Sequence, residues 1–320
     1  MKTSLKSLCG GGHLPVTRHS SLPWRHHSSL VTRHLSLVTA AAVLAAATAA
    51  ASPMPAGWRQ ADFAAELYRH AVATANSGDN VVLSPWGVAD CFALLQTSAK
   101  GDTARGMAFA LQLGGAEPPA PNEVAATFRE ARTALSRAAR ADASIEESGT
   151  NGTFRLSAKW DSAAAEILDT PLCSALRLPC VGGTFEMLAI TPSPSNTLGE
   201  VEARLGRAFF DRLASAPRTT SAEPICPRFE IQAQFDLKAV LSPMGMAAFF
   251  ADNAAGQSVS LAVGDEGIEA SVITGVPLPH AKTADSAETA RPVKPTPPFL
   301  FIIRETRTGL IIFLGRDMKP

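Results

Sequence analysis

The chain has few of the residues from which hydrolases build catalytic sites. Only two of its seven histidines, His70 and His280, lie beyond residue 51. A nucleophilic serine or cysteine needs a positioned base, usually histidine, and these two fall in a predicted helix and a predicted loop. The sequence also lacks the GxSxG and HExxH motifs and a phosphate-binding glycine motif. We therefore predict that the protein is not an enzyme and uses no metal or other cofactor.

An excess of charge of either sign is also missing. The chain has 29 Lys and Arg residues and 29 Asp and Glu residues, so its formal net charge is zero. Residues 1–51 contain five basic residues and no acidic one, which leaves 24 basic (29 minus 5) against 29 acidic residues in the remainder. This distribution gives no indication of a nucleic-acid partner. With 46% hydrophobic and 18% charged residues, the composition is typical of a globular protein.

Cysteines are scarce, with five in 320 residues. Cys173 and Cys180 have six residues between them, which is not the spacing of a common zinc site, and no histidine lies near them. In an exported protein a disulfide is expected ahead of a zinc site. Buried thiols are the alternative, above all for Cys91 on the apolar face of a predicted helix.

The first 51 residues differ from the rest of the chain. The sequence VTRHSSL at Val16 recurs as VTRHLSL at Val31, and five histidines lie in this leader. Such composition favours a misassigned start or a cleaved extension over a metal-binding tract. An apolar run from Leu35 to Ala51 follows, and its small residues are placed for cleavage before Ser52.

That apolar run predicts a secretory signal peptide, with a membrane anchor as the alternative. It is only just long enough to span a bilayer and consists mostly of alanine, which inserts poorly compared with leucine. We therefore predict a leader over residues 1–51 and one domain over residues 52–320. The domain is expected to be secreted, to the extracellular space or the periplasm, with no membrane attachment after signal cleavage.

Apolar residues at helical spacing predict several helices in the first half of the domain. Ser84 is a candidate N-cap and Pro85 suits a first helical turn. Between the last of these helices and Phe154 the sequence is polar and rich in turn residues. The predicted helices cover Asp62 to Thr74, the residues after Ser84, Asp102 or Thr103 to Gly114, and Asn122 to Ala141.

Apolar strands are predicted in the second half. The segment from Ala175 to Pro192 has two apolar stretches around a Gly182–Gly183 turn. A further apolar hairpin closes the chain within Pro297 to Pro320 and predicts two fully buried strands.

The segment from Gly264 to Lys282 is the one around which the other predicted elements are interpreted. Its residues alternate, so that Ile268, Ala270, Val272 and Thr274 share one face and mostly polar residues share the other. Such a segment is a strand without an assigned partner. Gly264 and Gly267 give the chain freedom to bend before it, and Gly267 is a candidate hinge.

These residues resemble the serpin family. The DEGIEA sequence resembles the serpin hinge, and the closing apolar hairpin resembles the two strands that follow the family's reactive loop. Gly87 stands where the family usually has a serine that helps to hold the region under which the main sheet opens. Other positions that match the family's motifs are Asn80, Ser84, Pro85, Ala99, Lys100, Gly101, Thr103, Pro227, Arg228, Phe229, Asp236, Leu237, Met244, Gly245 and Phe250.

The resemblance implies an α+β fold, with helices packed on antiparallel-rich or mixed β-sheets and an exposed reactive loop at about residues 264–292. It implies inhibition of a serine endopeptidase, or of a cysteine endopeptidase, by a monomer whose cut loop inserts into a sheet. Counting fifteen residues from Gly267 places the scissile region at Ala281 and Lys282, which suits an elastase-like or a trypsin-like protease respectively. The implied hinge consists of Asp265, Glu266, Gly267, Ile268, Glu269 and Ala270.

Two alternatives stay open. The long loop, with its six prolines, is also typical of a solvated connector. Between Gly115 and Leu176 the chain has only 60 residues, where serpins normally carry several more helices and central strands. A non-inhibitory, shortened serpin relative that acts as a binding or structural protein is therefore the second hypothesis.

Overall fold

The computed structural model describes residues 59–113, 119–139, 143–148, 152–220, 226–275 and 298–319. The chain divides into residues 1–49 and 50–320, and all the described residues belong to the second unit. The predicted leader and the predicted scissile residues Ala281 and Lys282 lie outside the described residues.

Seven α-helices lie in the described ranges. No helix there is long and apolar enough to cross a membrane. In chain order they are α1 (Gln60–Thr74), α2 (Pro85–Leu95), α3 (Gly101–Ala110), α4 (Pro121–Ala139), α5 (Leu198–Ala203), α6 (Arg207–Ala214) and α7 (Leu237–Leu241).

Two β-sheets, in which every strand pairing is antiparallel, accompany these helices. The seven-stranded sheet has the order β1-β12-β11-β6-β5-β4-β7, and the five-stranded sheet has the order β2-β3-β10-β9-β8. The strands are β1 (Val81–Leu83), β2 (Ala143–Ser148), β3 (Gly152–Lys159), β4 (Glu166–Asp169), β5 (Cys173–Pro179), β6 (Phe185–Pro192), β7 (Arg218–Thr220), β8 (Phe229–Asp236), β9 (Gly256–Val263), β10 (Gly267–Gly275), β11 (Phe299–Glu305) and β12 (Ile311–Asp317).

The start of α2 confirms the predicted cap. The Ser84 side chain accepts a hydrogen bond from the Gly87 N–H, and Pro85 occupies the first turn, where a missing N–H costs nothing. Almost the whole of α2 is buried, because it packs beneath strands of both sheets. This helix therefore fixes where the two sheets lie relative to each other.

Helix α4 packs on α2 through the apolar stripe that its sequence predicted. Val124, Phe128, Ala131 and Leu135 are all buried, and the Phe128 ring stacks on the Trp86 ring with centroids 5.6 Å apart. An ion pair between Arg132 of α4 and the buried Asp90 of α2 joins the same two helices. Burial raises the pKa of the Asp90 carboxyl, although the Arg132 guanidinium opposes this shift.

The closing hairpin is confirmed as two buried strands, β11 and β12. Its phenylalanines also join the two sheets, because the Phe301 ring lies 4.8 Å from that of Phe229 in β8. Gly315 of β12 permits this packing, since a Cβ there would lie 2.4 Å from Phe301 Cζ. Strands β11 and β12 thus pack against the five-stranded sheet.

The polar, turn-rich stretch before Phe154 contains strands that the sequence pattern did not predict. Residues 143–148 and 152–159 form β2 and β3, and β3 is the direct neighbour of β10. Phe154, Leu156 and Ala158 are buried on one face, while Arg155 and Lys159 on the other face are exposed. Since only one face of this sheet meets the core, half of each strand is polar, and the apolar signal is weak. The shortened region between Gly115 and Leu176 therefore supplies the strand beside β10.

The expected disulfide was wrong. Cys91, Cys173, Cys180 and Cys226 form no disulfide in the structure. Cys173 begins β5 and Cys180 follows its end, so about 24 Å of extended strand separates them, at roughly 3.4 Å per residue. A disulfide needs Cα atoms within about 7 Å. Burial raises the pKa of the Cys180 thiol to about 12, with a further contribution from the Glu186 charge.

Because the thiolate is the reactive form, we expect Cys180 in the folded protein to be alkylated at pH 8 at least about tenfold more slowly than in urea. Folding raises the pKa of the Cys180 thiol above the usual 9.0, so the unfolded chain loses this proton at a lower pH than the folded chain does. The protonated thiol therefore contributes to the free energy of unfolding below pH 9, and this contribution is lost as the pH rises from 9 towards 12. Mass spectrometry of iodoacetamide-treated peptides measures the rate. Recovery of a peptide with Cys173 bonded to Cys180 from the unreduced protein would contradict the structure.

Candidate functional site at the central strand

Strand β10 occupies the middle of the five-stranded sheet. Its residues pair with β3 from Gly267 opposite Lys159 to Thr274 opposite Gly152, and with β9 from Ile268 opposite Val263 onward. The strand therefore satisfies its backbone hydrogen bonds on both sides. The first part of the segment expected to be an exposed loop is thus a buried inner strand. Residues 276–297 lie outside the described residues.

The alternation predicted for β10 is confirmed. Ile268 is 1% exposed, and Ala270, Val272 and Thr274 are also buried, whereas Ile273 on the opposite face is 42% exposed. Ile268 fits because its neighbours across the sheet are Ala158 and Val263, one of which is small. Burying a side chain such as Ile268 or Val272 stabilises the folded chain by roughly 1.5–3 kcal/mol.

A tight hairpin joins β9 to β10, and its geometry explains Gly267. The Gly264 N–H donates to the Gly267 carbonyl at 3.0 Å, so Asp265 and Glu266 form the tip. Neither glycine has a positive φ. A Cβ on Gly267 would instead lie 1.9 Å from the Ala158 carbonyl oxygen, while a Cβ on Gly264 would meet nothing within 4 Å. Gly267 is required by the close approach of β3 and not by a left-handed backbone conformation.

Trp160, which follows β3, holds this hairpin from the other side. Its indole N–H donates to the Gly264 carbonyl at 2.8 Å, and its backbone N–H donates to the Glu266 carbonyl at 2.9 Å. Asp265 also pairs with Arg228, but both side chains are more than half exposed, so this pair contributes little to stability. Sequence reasoning missed Trp160, because a single tryptophan after a weak strand carries no motif.

The hinge residues inferred from the sequence are therefore adjacent in space but have different surroundings. Asp265 and Glu266 form the hairpin tip, Gly267 contacts β3, and Ile268 and Ala270 enter the core. Glu269 lies on the open face, where it accepts a hydrogen bond from the Ser157 hydroxyl. Their movement as a hinge stays a prediction.

The far end of β10 contacts the start of α2. The Thr274 hydroxyl accepts a hydrogen bond from Gln257 Nε2 at 2.9 Å, and the same nitrogen donates to the Ser84 carbonyl at 3.0 Å. All three residues are fully buried. Sequence reasoning missed Gln257, because a glutamine in an alternating strand usually faces solvent.

The described residues contain no group of three or more His, Cys, Asp or Glu side chains arranged to hold a metal ion. In the seven-stranded sheet, the buried Glu186 bridges Arg177 and Arg304. The candidate site is therefore the position of one strand, β10, between β3 and β9 of the five-stranded sheet.

Comparison with known proteins agrees with this architecture. The rat (Rattus norvegicus) protein heparin cofactor 2 is 26% identical over 162 residues, which are 46% of this chain and 32% of that protein. The chain thus spans about a third of the length of this curated relative. The solved structure titled cleaved Serpin 42Da has a TM-score of 0.61 at 15% identity and covers 84% of this chain and all of that one.

A second solved structure, a thermophilic serpin called tengpin in the latent state, has a TM-score of 0.56 at 16% identity. It covers 81% of this chain and 96% of that one. At these identities the two likenesses show the fold alone. A family model described as Serpin (serine protease inhibitor) matches residues 59–167 and 158–320, which together include all of the described residues. The chain therefore belongs to the serpin family.

Proposed function

We propose that the protein inhibits serine endopeptidases as a suicide substrate, with residues 276–297 as the bait and β10 as the strand that enters the sheet. The observation that carries this proposal is the inner position of β10, paired on both sides in the five-stranded sheet. Cysteine endopeptidases are a second target class. The protein is proposed to act as a monomer, secreted to the extracellular space or the periplasm, with the leader removed.

The position of the strand end supports the mechanism. Strand β10 ends at Gly275, before Pro277 and Pro279. Proline cannot donate a ladder hydrogen bond, and prolines beyond the strand end remove no bond from the observed sheet. A protease attached to Ala281 would be displaced by the length of nine strand residues, roughly 30 Å. The six residues from 276 to 281 would connect it to the sheet.

The segment between β10 and β11 is also long enough for β10 to enter the sheet while the chain is uncut. Phe299 lies towards the hairpin end of the sheet, because its ring is 5.6 Å from that of Phe229, which pairs with Val263. The described flanks, Gly275 and Phe299, therefore lie towards opposite ends of β10, and residues 276–298 connect them. These 23 residues can span at most about 80 Å, which exceeds the strand length of roughly 30 Å. A covalent complex is therefore expected only from molecules whose β10 lies outside the sheet when the protease binds, and molecules with β10 already in the sheet are expected to be cut without trapping.

The proposal predicts a covalent complex. Incubation of the full chain with trypsin and with an elastase, followed by denaturing gels and mass spectrometry, is expected to give a product of the summed mass that survives denaturant. The cut is expected after Ala281 with the elastase or after Lys282 with trypsin. Clean cleavage in this segment with no complex from either enzyme would contradict the proposed function.

A matched pair of variants identifies the bond. If trypsin attacks after Lys282, Lys282→Ala is expected to lower the yield of the trypsin complex at least about tenfold, because a trypsin-like site needs the basic side chain. Lys294→Ala removes an equivalent charge from the same segment and is expected to leave the yield unchanged. An equal loss in both variants would exclude Lys282 as the recognised residue.

A non-inhibitory role as a binding or structural protein is the second candidate. It is favoured by the uncut chain itself, in which β10 already lies in the sheet. This candidate predicts that the folded protein is cleaved slowly or without forming a complex at any enzyme ratio. The same gels therefore distinguish the two functions.

A further inference from the structure

Strand β8 is an edge strand of the five-stranded sheet, and some of its backbone groups face outward. Its one strand neighbour in the described part of the chain is β9. The Leu237 N–H, directly after β8, donates to the carbonyl of Ala255, which is the opposite residue in the same register. Bonded and outward-facing residues alternate along an antiparallel pair. The odd-numbered residues of β8 therefore bond β9, and the backbone N–H and C=O groups of Gln232 and Gln234 face outward.

These outward groups have no partner among the residues that the structure describes. Gln232 donates one side-chain bond, to Glu230 on the same strand, but its main chain and that of Gln234 accept and donate nothing on the outer side. An unpaired edge accepts a further strand unless proline, a bulge or a covering segment blocks it. Strand β8 has no proline, and its register with β9 is continuous. Its edge is therefore open to one more strand.

A cleft of about 460 Å³, here called the β8 cleft, lies beside this edge. Its walls are residues 232–236, the turn between α1 and β1, and Ala239 of α7. Ala75, Val81 and the half-buried Phe235 make part of its surface apolar. Every second side chain of an added strand would point to this side of the sheet. The cleft therefore has the position and the lining to receive small apolar side chains.

Acidic residues determine the charge of a strand that would fit. The part of the cleft lining that the structure describes has no Lys or Arg, and it includes Asp79. Hydrogen bonds from the side chain and backbone of Asn76 lower the pKa of Asp79, so this carboxylate is charged at neutral pH. Basic side chains beside these residues are favourable. The exposed side chains of β8 are two carboxylates with two amides between them, namely Glu230, Gln232, Gln234 and Asp236.

The same charges argue against a second copy of this chain as the occupant. Two β8 strands paired symmetrically over their full length would place Glu230 of one copy opposite Asp236 of the other. Like charges directly opposite each other across a strand pair are destabilising. The charges on the page therefore favour a basic partner over another copy.

We propose that the edge of β8 is a docking site for an extended basic peptide, which adds to the sheet as a sixth strand. Its backbone pairs with the outward groups of Gln232 and Gln234. Its basic side chains lie beside Glu230 and Asp236, and its small apolar side chains enter the β8 cleft. This site is separate from the proposed protease trap, because it uses neither β10 nor residues 276–297.

Residue-resolved hydrogen exchange of the uncut full chain tests the proposal. The probe is the peptide acetyl-Lys-Val-Thr-Val-Thr-Val-Lys-amide, which has valines on one face and basic ends on the other. At about 1 mM it is expected to slow exchange of the Gln232 and Gln234 amides at least about tenfold. Absence of this protection would overturn the proposal. Faster exchange of the β10 amides would also overturn it, since the peptide would then have replaced β10 inside the sheet.

Two control peptides separate strand addition from other binding. Acetyl-Lys-Val-Pro-Val-Pro-Val-Lys-amide keeps the charges but lacks the two N–H donors that would face Gln232 and Gln234. Acetyl-Glu-Val-Thr-Val-Thr-Val-Glu-amide keeps the donors but reverses the charges. Each is expected to change exchange of these two amides less than about twofold. Protection by either control equal to that by the basic peptide would overturn the proposal.

Gln234→Pro tests the edge from the side of the protein. The lost N–H faces outward and bonds nothing in the described residues, so the fold is expected to be kept, with unchanged exchange in β11 and β12. The peptide is expected to bind at least about tenfold more weakly, because one ladder bond cannot form. Undiminished protection of Gln232 in this variant would overturn the assigned edge.

Glu230→Lys tests the charge without altering the backbone. It is expected to weaken binding of the basic peptide about three- to tenfold. Glu130→Lys is the matched control, because Glu130 is also exposed but lies on α4, which contacts β2 at the opposite edge of the sheet. The control is expected to change binding less than about twofold. Equal weakening by both variants would overturn the role assigned to Glu230.

Discussion

Gly267→Ala is expected to prevent insertion of β10 while leaving the bait open to cleavage. The added Cβ would lie 1.9 Å from the Ala158 carbonyl oxygen and 2.8 Å from the Lys159 Cα, both backbone atoms that cannot rotate away. Separating β3 from β10 to relieve this clash is expected to cost about 3 kcal/mol or more. In the trypsin and elastase assays, the yield of covalent complex should fall at least about tenfold at an unchanged rate of loop cleavage.

Gly264→Ala is the matched control for this prediction. Gly264 lies in the same hairpin, three residues earlier, and a Cβ on it meets nothing within 4 Å. The variant should therefore trap proteases like the unaltered protein. If Gly267→Ala and Gly264→Ala give equal yields of complex, close packing of Gly267 against β3 is not required for trapping.

Trp160→Ala is expected to lower the free energy of unfolding of the uncut protein by about 3–5 kcal/mol. The indole ring is largely buried, and its N–H is the donor to the Gly264 carbonyl at 2.8 Å. The substitution removes both the packed ring and the hydrogen bond that ties β3 to the β9–β10 hairpin. Urea unfolding followed by far-ultraviolet circular dichroism measures the change without depending on tryptophan fluorescence.

Trp160→Phe separates the two contributions. It retains an aromatic ring but leaves the Gly264 carbonyl without the indole donor, so a loss of about 1–3 kcal/mol is expected. Hydrogen exchange should show this loss in the hairpin before it shows in β11 and β12. Stability equal to that of the unaltered protein in both variants would mean that Trp160 does not hold the hairpin.

The sequence correctly predicted those helices and strands whose apolar residues lie against the core along the whole element. The stripe of Val124, Phe128, Ala131 and Leu135 predicted helix α4, and the long apolar runs predicted β11 and β12, because each lies against the core along its whole length. The N-cap at Ser84 was predictable because capping is local and needs only the next three residues. Helix α4, the N-cap of α2 and the closing hairpin could therefore be predicted from local sequence patterns.

Residues 143–159 were missed for the opposite reason. Strand β3 lies in a sheet with one open face, so exposed polar residues such as Arg155 and Lys159 alternate with buried ones, and its sequence resembles a loop. The separation of Cys173 and Cys180 was missed because sequence spacing alone does not tell whether two residues lie across a turn or at the two ends of a strand. Both errors arise from the pairing of strands, which is not a local property.

By itself the sequence determined which face of residues 267–275 is apolar, and therefore which side chains are buried if this segment joins a sheet. It also determined family membership, through motifs at both ends of the domain. Only the tertiary structure decided that the segment lies between β3 and β9, that Gly267 is needed for close approach, and that Trp160 and Gln257 hold its two ends. The bond between Ser84 and Gln257 joins residues 173 positions apart, and only folding brings such residues together.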